Sequence, residues 1–400
     1  MLAIDDAIKQ IIATITPVND TENIHITQAS GRIIAGNIYS SINVPPADNS
    51  AMDGYAINTE DLAKNTTLRI SQTVNAGDTP KPLSQGTAAR IFTGAEIPLG
   101  ANAVVMQEHC TRIDDSVTLP RHIEPQNNIR QCGQDIQQGD CVIQQGRCLQ
   151  PQDIGLIASI GVDQVSVYRP LRVAIISTGN ELTEPGKPLS TGKIYNANRY
   201  LLHSFLQQMN ITVVDLGDIP DSLPSTIEAL QQAAHADCII STGGVSVGDE
   251  DHIKTAVEQL GSLDFWKVAI KPGKPIAVGH IATHQKTTPF IGLPGNPASV
   301  FVTFLLFART LLLALQHQNA TLPKGQRCRA NFTWQANTQR QEYLRAQRDN
   351  EGNITIHPKQ NSGILSSTAW ANGLAVIPPQ QDIAVGDTVE FIGFEGFGNF

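Results

Sequence analysis

The sequence predicts a multidomain protein of the α/β plus β class: a β-rich N-terminal region behind one helix, a central α/β domain with a mostly parallel sheet, and a C-terminal β domain. Three observations predict it. Short apolar runs separated by Gly, Pro, Asn and Asp fill the stretch from about Ile38 to Arg169. From about Leu171 to Gln318, apolar runs alternate with segments of the length a βα crossover needs. After Leu322 the pattern reverts to strands. A chain of 400 residues outgrows a single core, and at about 100–200 residues per domain it holds roughly two to four.

The elements follow in order. MLAIDDAIKQIIATI has the periodicity of an amphipathic helix, and Asp5 and Asp6 stand where an export signal would carry positive charge. No export signal is read, and a cytoplasmic location is expected. AARIF, NAVVM, SVTL, CVI and VSVY are strand-like. RVAIIS then precedes NRYLLHSFLQQM, ITVVDLGDI precedes LPSTIEALQQAAH, and ADCIIS precedes DHIKTAVEQL, each a strand before a helix. FWKVAI, PIAVGHI and FIGL continue the strands, and a long helix from Ala298 closes the series. Its apolar stretch from Val300 to Leu315 is interrupted by Arg309 and falls short of the ~20 residues of a membrane span, so it reads as a buried helix. RAQRDNEGNITIHP reads as a hairpin around Asn350 to Asn353, and VGDTVEFI as a final strand.

A content of 41% hydrophobic and 16% charged residues is that of a folded chain rather than a disordered one. The net charge of −9 argues against a general nucleic-acid or anionic-membrane binder, so an anionic ligand must meet a local basic site. Cys110, Cys132, Cys141, Cys148, Cys238 and Cys328 form no CxxC pair and no Cys/His cluster at zinc spacing, and reduced thiols are expected.

Three loops leave strands of the central domain in the same sense: TGNEL, TGGVSVGDED and PGNPAS. In a parallel sheet they emerge at the carboxyl ends of the strands and converge on one pocket. Gly243, Gly244 and Gly248, with Thr242 and Ser246 among them, allow backbone N–H groups to approach a phosphate, or simply let a strand turn into a helix. Glu181, Asp221, Asp249, Glu250 and Asp251 crowd the same edge. Carboxylates beside a phosphate imply a hard cation of the Mg²⁺ kind, although Asp249 or Asp251 could equally cap a helix. In WKVAIKPGKP, Lys267, Lys271 and Lys274 supply the basic counterpart, or else a solvated turn. Upstream, NVPPADNSAMDGYAI is a polar loop too long and too acidic for a tight turn, running through Asp48 and Asp53 into the apolar Tyr55, Ala56 and Ile57.

Taken in order, NVPPADNSAMDGYAI, RIFTGAEIP, NAVVMQE, TGNEL, TGGVSVGDEDH, KVAIKPGKP and GLPGNPAS resemble the molybdopterin molybdenumtransferase family, MoeA in bacteria and the gephyrin E-domain in animals, over essentially the whole chain. The resemblance implies an elongated N-terminal dimerisation region at 1–43 with 139–169, an inserted β-rich domain at 44–138, a central MogA-like three-layer α/β domain at 170–321 and a C-terminal β-barrel at 322–400. It implies insertion of molybdate into adenylylated molybdopterin, with Mg²⁺-dependent cleavage of the pyrophosphate bond and release of AMP, in a homodimer to which a MogA-type protein could be partner. It places Asp53, Asp135, Glu181, Asp221 and Asp251 in the active site, with Glu181, Asp221 and Asp251 toward the metal. Thr93, Lys267, Lys271, Pro294 and Pro297 match as well, while Lys274, Ser299, Arg345 and Ser362 fall where relatives hold molybdate. Asn180 departs from the pattern, since many relatives have an acidic residue there. Two alternatives stand beside this one: a MogA-type molybdopterin adenylyltransferase, whose loop would be GGTG-like rather than GGVSVG and which lacks the flanking β domains, and a non-catalytic scaffold, against which the retained carboxylates and lysines argue.

Overall fold

A computed structural model describes residues 1–244, 252–284, 286–337 and 339–398. Two compact units are present: Met1–Glu22, Gly31–Ile33 and Val167–Phe400 form one, and Asn23–Ser30 with Ile34–Ser166 the other.

The second unit is built on a six-stranded sheet in the spatial order Ala103–Met106, Gly54–Ile57, Thr87–Ile91, Thr67–Val74, Ser116–Thr118, Thr111–Ile113. Side chains alternate across it: Tyr55, Ile57 and Val105 pack into one cluster, and Ala56, Val104 and Ile91 into another. Gly54 sits where a Cβ would come within 1.9 Å of Val105 O, so the MDGYA motif needs glycine for strand approach, not for a turn. The polar loop ahead of it is held down along its length. Asp48 accepts from the Cys132 N–H at 2.7 Å, Asn49 and Ser50 pair with Arg130 and Ile129, and the Ser50 hydroxyl donates to Met52 O at 2.6 Å.

The first unit holds a three-layer α/β domain. Its strands are β1 (Arg172–Thr178), β2 (Thr212–Ile219), β3 (Cys238–Thr242), β4 (Gly261–Lys267), β6 (Pro275–Ala282) and β7 (Thr287–Leu293), in the spatial order β2-β1-β3-β7-β6-β4; β5 (Ile270–Lys271) leaves this sheet. Parallel pairing runs from β2 through β1 and β3 to β7, and β6 and β4 add two antiparallel pairings at the edge. The sheet is therefore mixed. Helices α1 (Ile4–Thr14), α2 (Ala197–Gln208), α3 (Leu223–Ala233), α4 (His252–Leu260) and α5 (Pro297–Leu315) cover it. Val173 and Ile175 of β1 face the cluster that contains α1, α2 and α5, and Ala174 and Ile176 face α3 and α4 on the other side.

Helix α5 is long and apolar enough to cross a membrane, but 83% of its most apolar window is buried inside this fold. It runs through a π-helical turn at Phe304–Ala308, and Arg309, just after that turn, donates through Nε to Phe397 O at 2.6 Å. Burial lowers the Arg309 guanidinium to about 10.

The run FWKVAI, expected as one strand, divides. Leu2 donates to Lys267 O at 3.1 Å and accepts from the Ala269 N–H at 2.8 Å, so the N-terminal segment takes the edge bonds at this point. Beyond it, β5 pairs with the C-terminal domain. That domain is a closed barrel: β8 (Gln326–Ala330), β9 (Gln341–Arg348), β10 (Asn353–Ile356), β11 (Gly373–Ile377) and β12 (Thr388–Gly393) run β9-β10-β8-β12-β11 and back to β9. Its hairpin turns at Asp349–Asn353 as expected, with Asp349 accepting from the N–H groups of Glu351 and Asn353. All six cysteines are free thiols, and burial pushes the Cys238 thiol well above its ordinary range.

Candidate active site

The adjacent parallel strands β1, β3 and β7 end on one side of the sheet, and the segments after them line a cleft of about 810 Å³ together with the barrel. Glu181 reaches it from the loop after β1 and Asp221 from the loop after β2. Asn180 links these two loops: its Oδ1 accepts from the Asp221 N–H at 3.4 Å, and its carbonyl accepts from Lys193 Nζ. The residue that departs from the family pattern is thus a tie between the loops that carry the two acids.

Gly243 and Gly244 line the cleft with φ of +83° and +62°. A Cβ on Gly243 would meet Thr178 O at 2.7 Å, and one on Gly244 would meet Ile253 Cγ1 at 2.6 Å, so both glycines are required by shape. Of the two, Gly243 does not offer its N–H to a ligand, because that group donates to Leu293 O at 3.3 Å and ties β3 to β7. Ser246, Gly248 and Asp251 lie outside the described residues.

Pro294, Pro297 and Ser299 also line the cleft, where α5 begins. The barrel docks there, since the Ala298 N–H donates to Ser362 O at 3.0 Å and Ser362 also lines the cleft. Lys271 reaches the cleft from the end of β5 and Lys274 from the turn that follows; Lys267, at the end of β4, is exposed and is not among the lining residues. Lys271 is held by Glu342 at 2.5 Å. Lys274 and Arg340 have no ion-pair partner among the described residues.

Arg345 does not line the cleft. It is fully buried, donating from Nε to Ser367 Oγ at 3.0 Å and through its other nitrogens to Tyr343 O and Asn361 O at 3.3 Å each. Desolvation lowers it to about 10. Its backbone also exchanges hydrogen bonds with Gln360, which together with Asn361 forms cleft wall. Arg345 therefore grips the lining segment from behind, and Arg340, five residues earlier, is the arginine that faces the cavity. Sequence reasoning missed Arg340, and also Asn198, which donates to Gly295 O at 2.6 Å beside an adjoining recess. The closely spaced asparagines of NAN were the available signal, with Asn196 capping α2 by accepting from the Arg199 N–H.

Asp53, Thr93 and Asp135 belong to the second unit. Asp53 and Thr93 are brought together: the Thr93 N–H and hydroxyl both donate to Asp53 Oδ1 at 2.8 Å. These bonds, the backbone one foremost, hold the Asp53 carboxyl below the usual carboxylate value. Asp135 is exposed, with its N–H donated to Val44 O.

Three family models match in chain order: the MoeA N-terminal region (domain I and II) over residues 2–161, a probable molybdopterin binding domain over 174–314, and the MoeA C-terminal region (domain IV) over 327–394. The chain is 42% identical over 321 residues to a molybdopterin molybdenumtransferase of Haemophilus influenzae, covering 80% of this chain and 78% of the relative. It is 34% identical over 376 residues to one of a Nostoc species, covering 90% and 85%. A crystal structure of the molybdopterin biosynthesis MoeA protein of Pyrococcus horikoshii superposes with a TM-score of 0.86 at 28% identity, over 98% of this chain and all of that one. With its α/β domain, its closed barrel and its β-rich unit all matched in order, the chain belongs to the MoeA family of molybdopterin molybdenumtransferases.

Proposed function

We propose that this protein inserts molybdenum from molybdate into adenylylated molybdopterin, cleaving the pyrophosphate bond and releasing AMP in the synthesis of molybdenum cofactor. The observation that carries the reading is the cleft itself, in which Lys274 and Arg340, without an ion-pair partner among the described residues, share one cavity with two carboxylates, Glu181 and Asp221. A substrate with a phosphoanhydride and a second substrate that is an oxyanion need both kinds of group.

Among the described residues no three His, Cys, Asp or Glu side chains cluster closely enough to enclose a metal ion. Two carboxylates in a phosphate-binding cleft do suit Mg²⁺, which keeps much of its water and takes about one or two protein carboxylates plus substrate phosphates. Glu181 and Asp221 would hold it, and bound there it would offset charge on the bridging phosphates. The rest belongs to the chain. Lys274 and Arg340 bind the oxyanion, and Lys271 places a third positive charge in the same cleft.

The working form we propose is a homodimer in which Asp53 of a second copy contributes to the reaction; the support is a carboxyl oriented by two hydrogen bonds from Thr93, which hold it below the ordinary value. A MogA-type protein supplying the adenylylated substrate fits the same chemistry. The deciding assay follows AMP from adenylylated molybdopterin with and without molybdate. Release only when molybdate is present supports insertion; release that ignores molybdate, or none, rejects it.

A further inference from the structure

Lys271 enters the cleft already paired. It stands opposite Glu342 in the two-residue parallel pairing of β5 with β9, and its Nζ lies 2.5 Å from Glu342 Oε1. The Glu342 side chain is 1% exposed, while that of Lys271 keeps 43%. The second carboxylate oxygen, Oε2, accepts from the Trp334 indole Nε1–H at 2.9 Å and from the Asn337 backbone N–H at 3.0 Å. The Trp334 ring also flanks the ammonium, its centroid 5.8 Å from Nζ.

A carboxylate this deeply buried needs its charge matched; Oε1 has no hydrogen-bond partner among the described residues, and the Lys271 ammonium is its counter-charge. Two rigid donors hold Oε2 and so fix the plane of the group, which leaves Oε1 aimed at one place, and Nζ occupies it. An ammonium has three N–H donors; the ion pair with Glu342 fixes where Nζ sits, and 43% of the Lys271 side chain stays exposed in the cleft that it lines. After Lys271 comes the turn of Pro272 and Gly273, which has no side-chain acceptor to steer the lysine. The steering group comes from the barrel.

We propose that Glu342 is a positioning residue for the reaction: through it the barrel holds the Lys271 ammonium where the anionic group of the substrate lies in the transition state. This rests on the reading above, that the cleft binds a phosphoanhydride and an oxyanion. The two partners then have different kinetic signatures. Removing the ammonium removes a charge that bound substrate feels before and during reaction. Removing the carboxylate leaves that charge in the cleft but frees it to wander, so binding persists and alignment is lost.

The test uses the full-length protein, with AMP release from adenylylated molybdopterin in the presence of molybdate and Mg²⁺, and thermal unfolding alongside. Glu342→Gln should lower kcat by about tenfold or more while KM stays within about threefold. Lys271→Ala should raise KM, and adding Glu342→Gln to it should lower kcat no further, since the carboxylate then has nothing to position. The double variant should also unfold at a higher temperature than Lys271→Ala alone, because a buried amide needs no cation. Losses that multiply in the double variant, or a Glu342→Gln enzyme whose defect is in KM alone, overturn the proposal. If Glu342→Gln does not fold, Glu342→Asp keeps the charge but draws it back by one methylene; a fall in kcat at steady KM supports positioning, and an unchanged kcat rejects it. Absence of AMP release from the parent protein would reject the reading of the cleft, yet the thermal comparison would still decide whether Lys271 and Glu342 are coupled.

Discussion

Thr93 donates twice to a single oxygen of Asp53, through its backbone N–H and its hydroxyl, each at 2.8 Å. The two residues are 40 positions apart, and their meeting holds the carboxyl below its ordinary value, first through the backbone bond and then through the hydroxyl. A carboxyl lowered in the folded state adds stability that is present above its unfolded value and disappears as pH falls through the lowered one. Thr93→Ala removes the smaller of the two bonds and leaves the larger. The Asp53 titration midpoint, read by carboxyl-carbon NMR, should rise part of the way toward the ordinary value; a midpoint that does not move would assign the whole effect to the N–H.

Complementation checks whether two copies share a site. Asp53→Ala and Glu181→Ala should each abolish AMP release, and co-expressed subunits of the two kinds should recover about a quarter to a half of the activity of parent dimers, because a heterodimer restores one intact site. A mixture as inactive as its parents would confine each site to one chain.

Arg340 and Arg345 should separate by phenotype. Arg340→Ala removes a charge from the cleft surface, so molybdate affinity should weaken by about tenfold, with less dependence on salt, while stability changes by no more than about 0.5 kcal/mol. Arg345→Ala empties a buried site and leaves Asn361 O and Tyr343 O without their donor, and should cost about 2–4 kcal/mol in unfolding free energy. Calorimetric titration with molybdate and denaturant unfolding of both variants check this. Equal effects in the two assays would mean that Arg345 also touches the ligand.

Glu181→Gln keeps the shape of the side chain and removes its charge. Turnover should fall sharply, the Mg²⁺ needed for half-maximal AMP release should climb, and substrate affinity without metal should hold or improve, since a repulsion has gone. A Mg²⁺ titration superimposable on that of the parent would make Glu181 structural.

The order of elements was legible in the chain because each is encoded locally. Ile4, Ala7, Ile8 and Ile11 repeat at helical spacing and are buried on one face of α1. The runs ending at Thr178, Thr242 and Leu293 are adjacent parallel strands whose following segments converge, as strand-then-helix alternation requires. Gly244 was likewise recognisable in TGGVSVG, although its reason is the closeness of Ile253 rather than only a ligand.

What the sequence determined by itself, then, was periodicity and motif: the elements, their order, and the acids, lysines and glycines at the strand ends. Which side chains face the cavity was decided only by tertiary structure. Arg345 and Arg340 lie five residues apart, and nothing local says that one is enclosed beneath the 360–362 segment while the other meets the cleft. The division of FWKVAI depends on Leu2, more than 260 residues away, taking its edge bonds, and the setting of Lys271 depends on Glu342 across a strand pairing. These are contacts between segments distant in the chain, whose cost in ordering is met only when a whole core forms, so no window of neighbouring residues carries them.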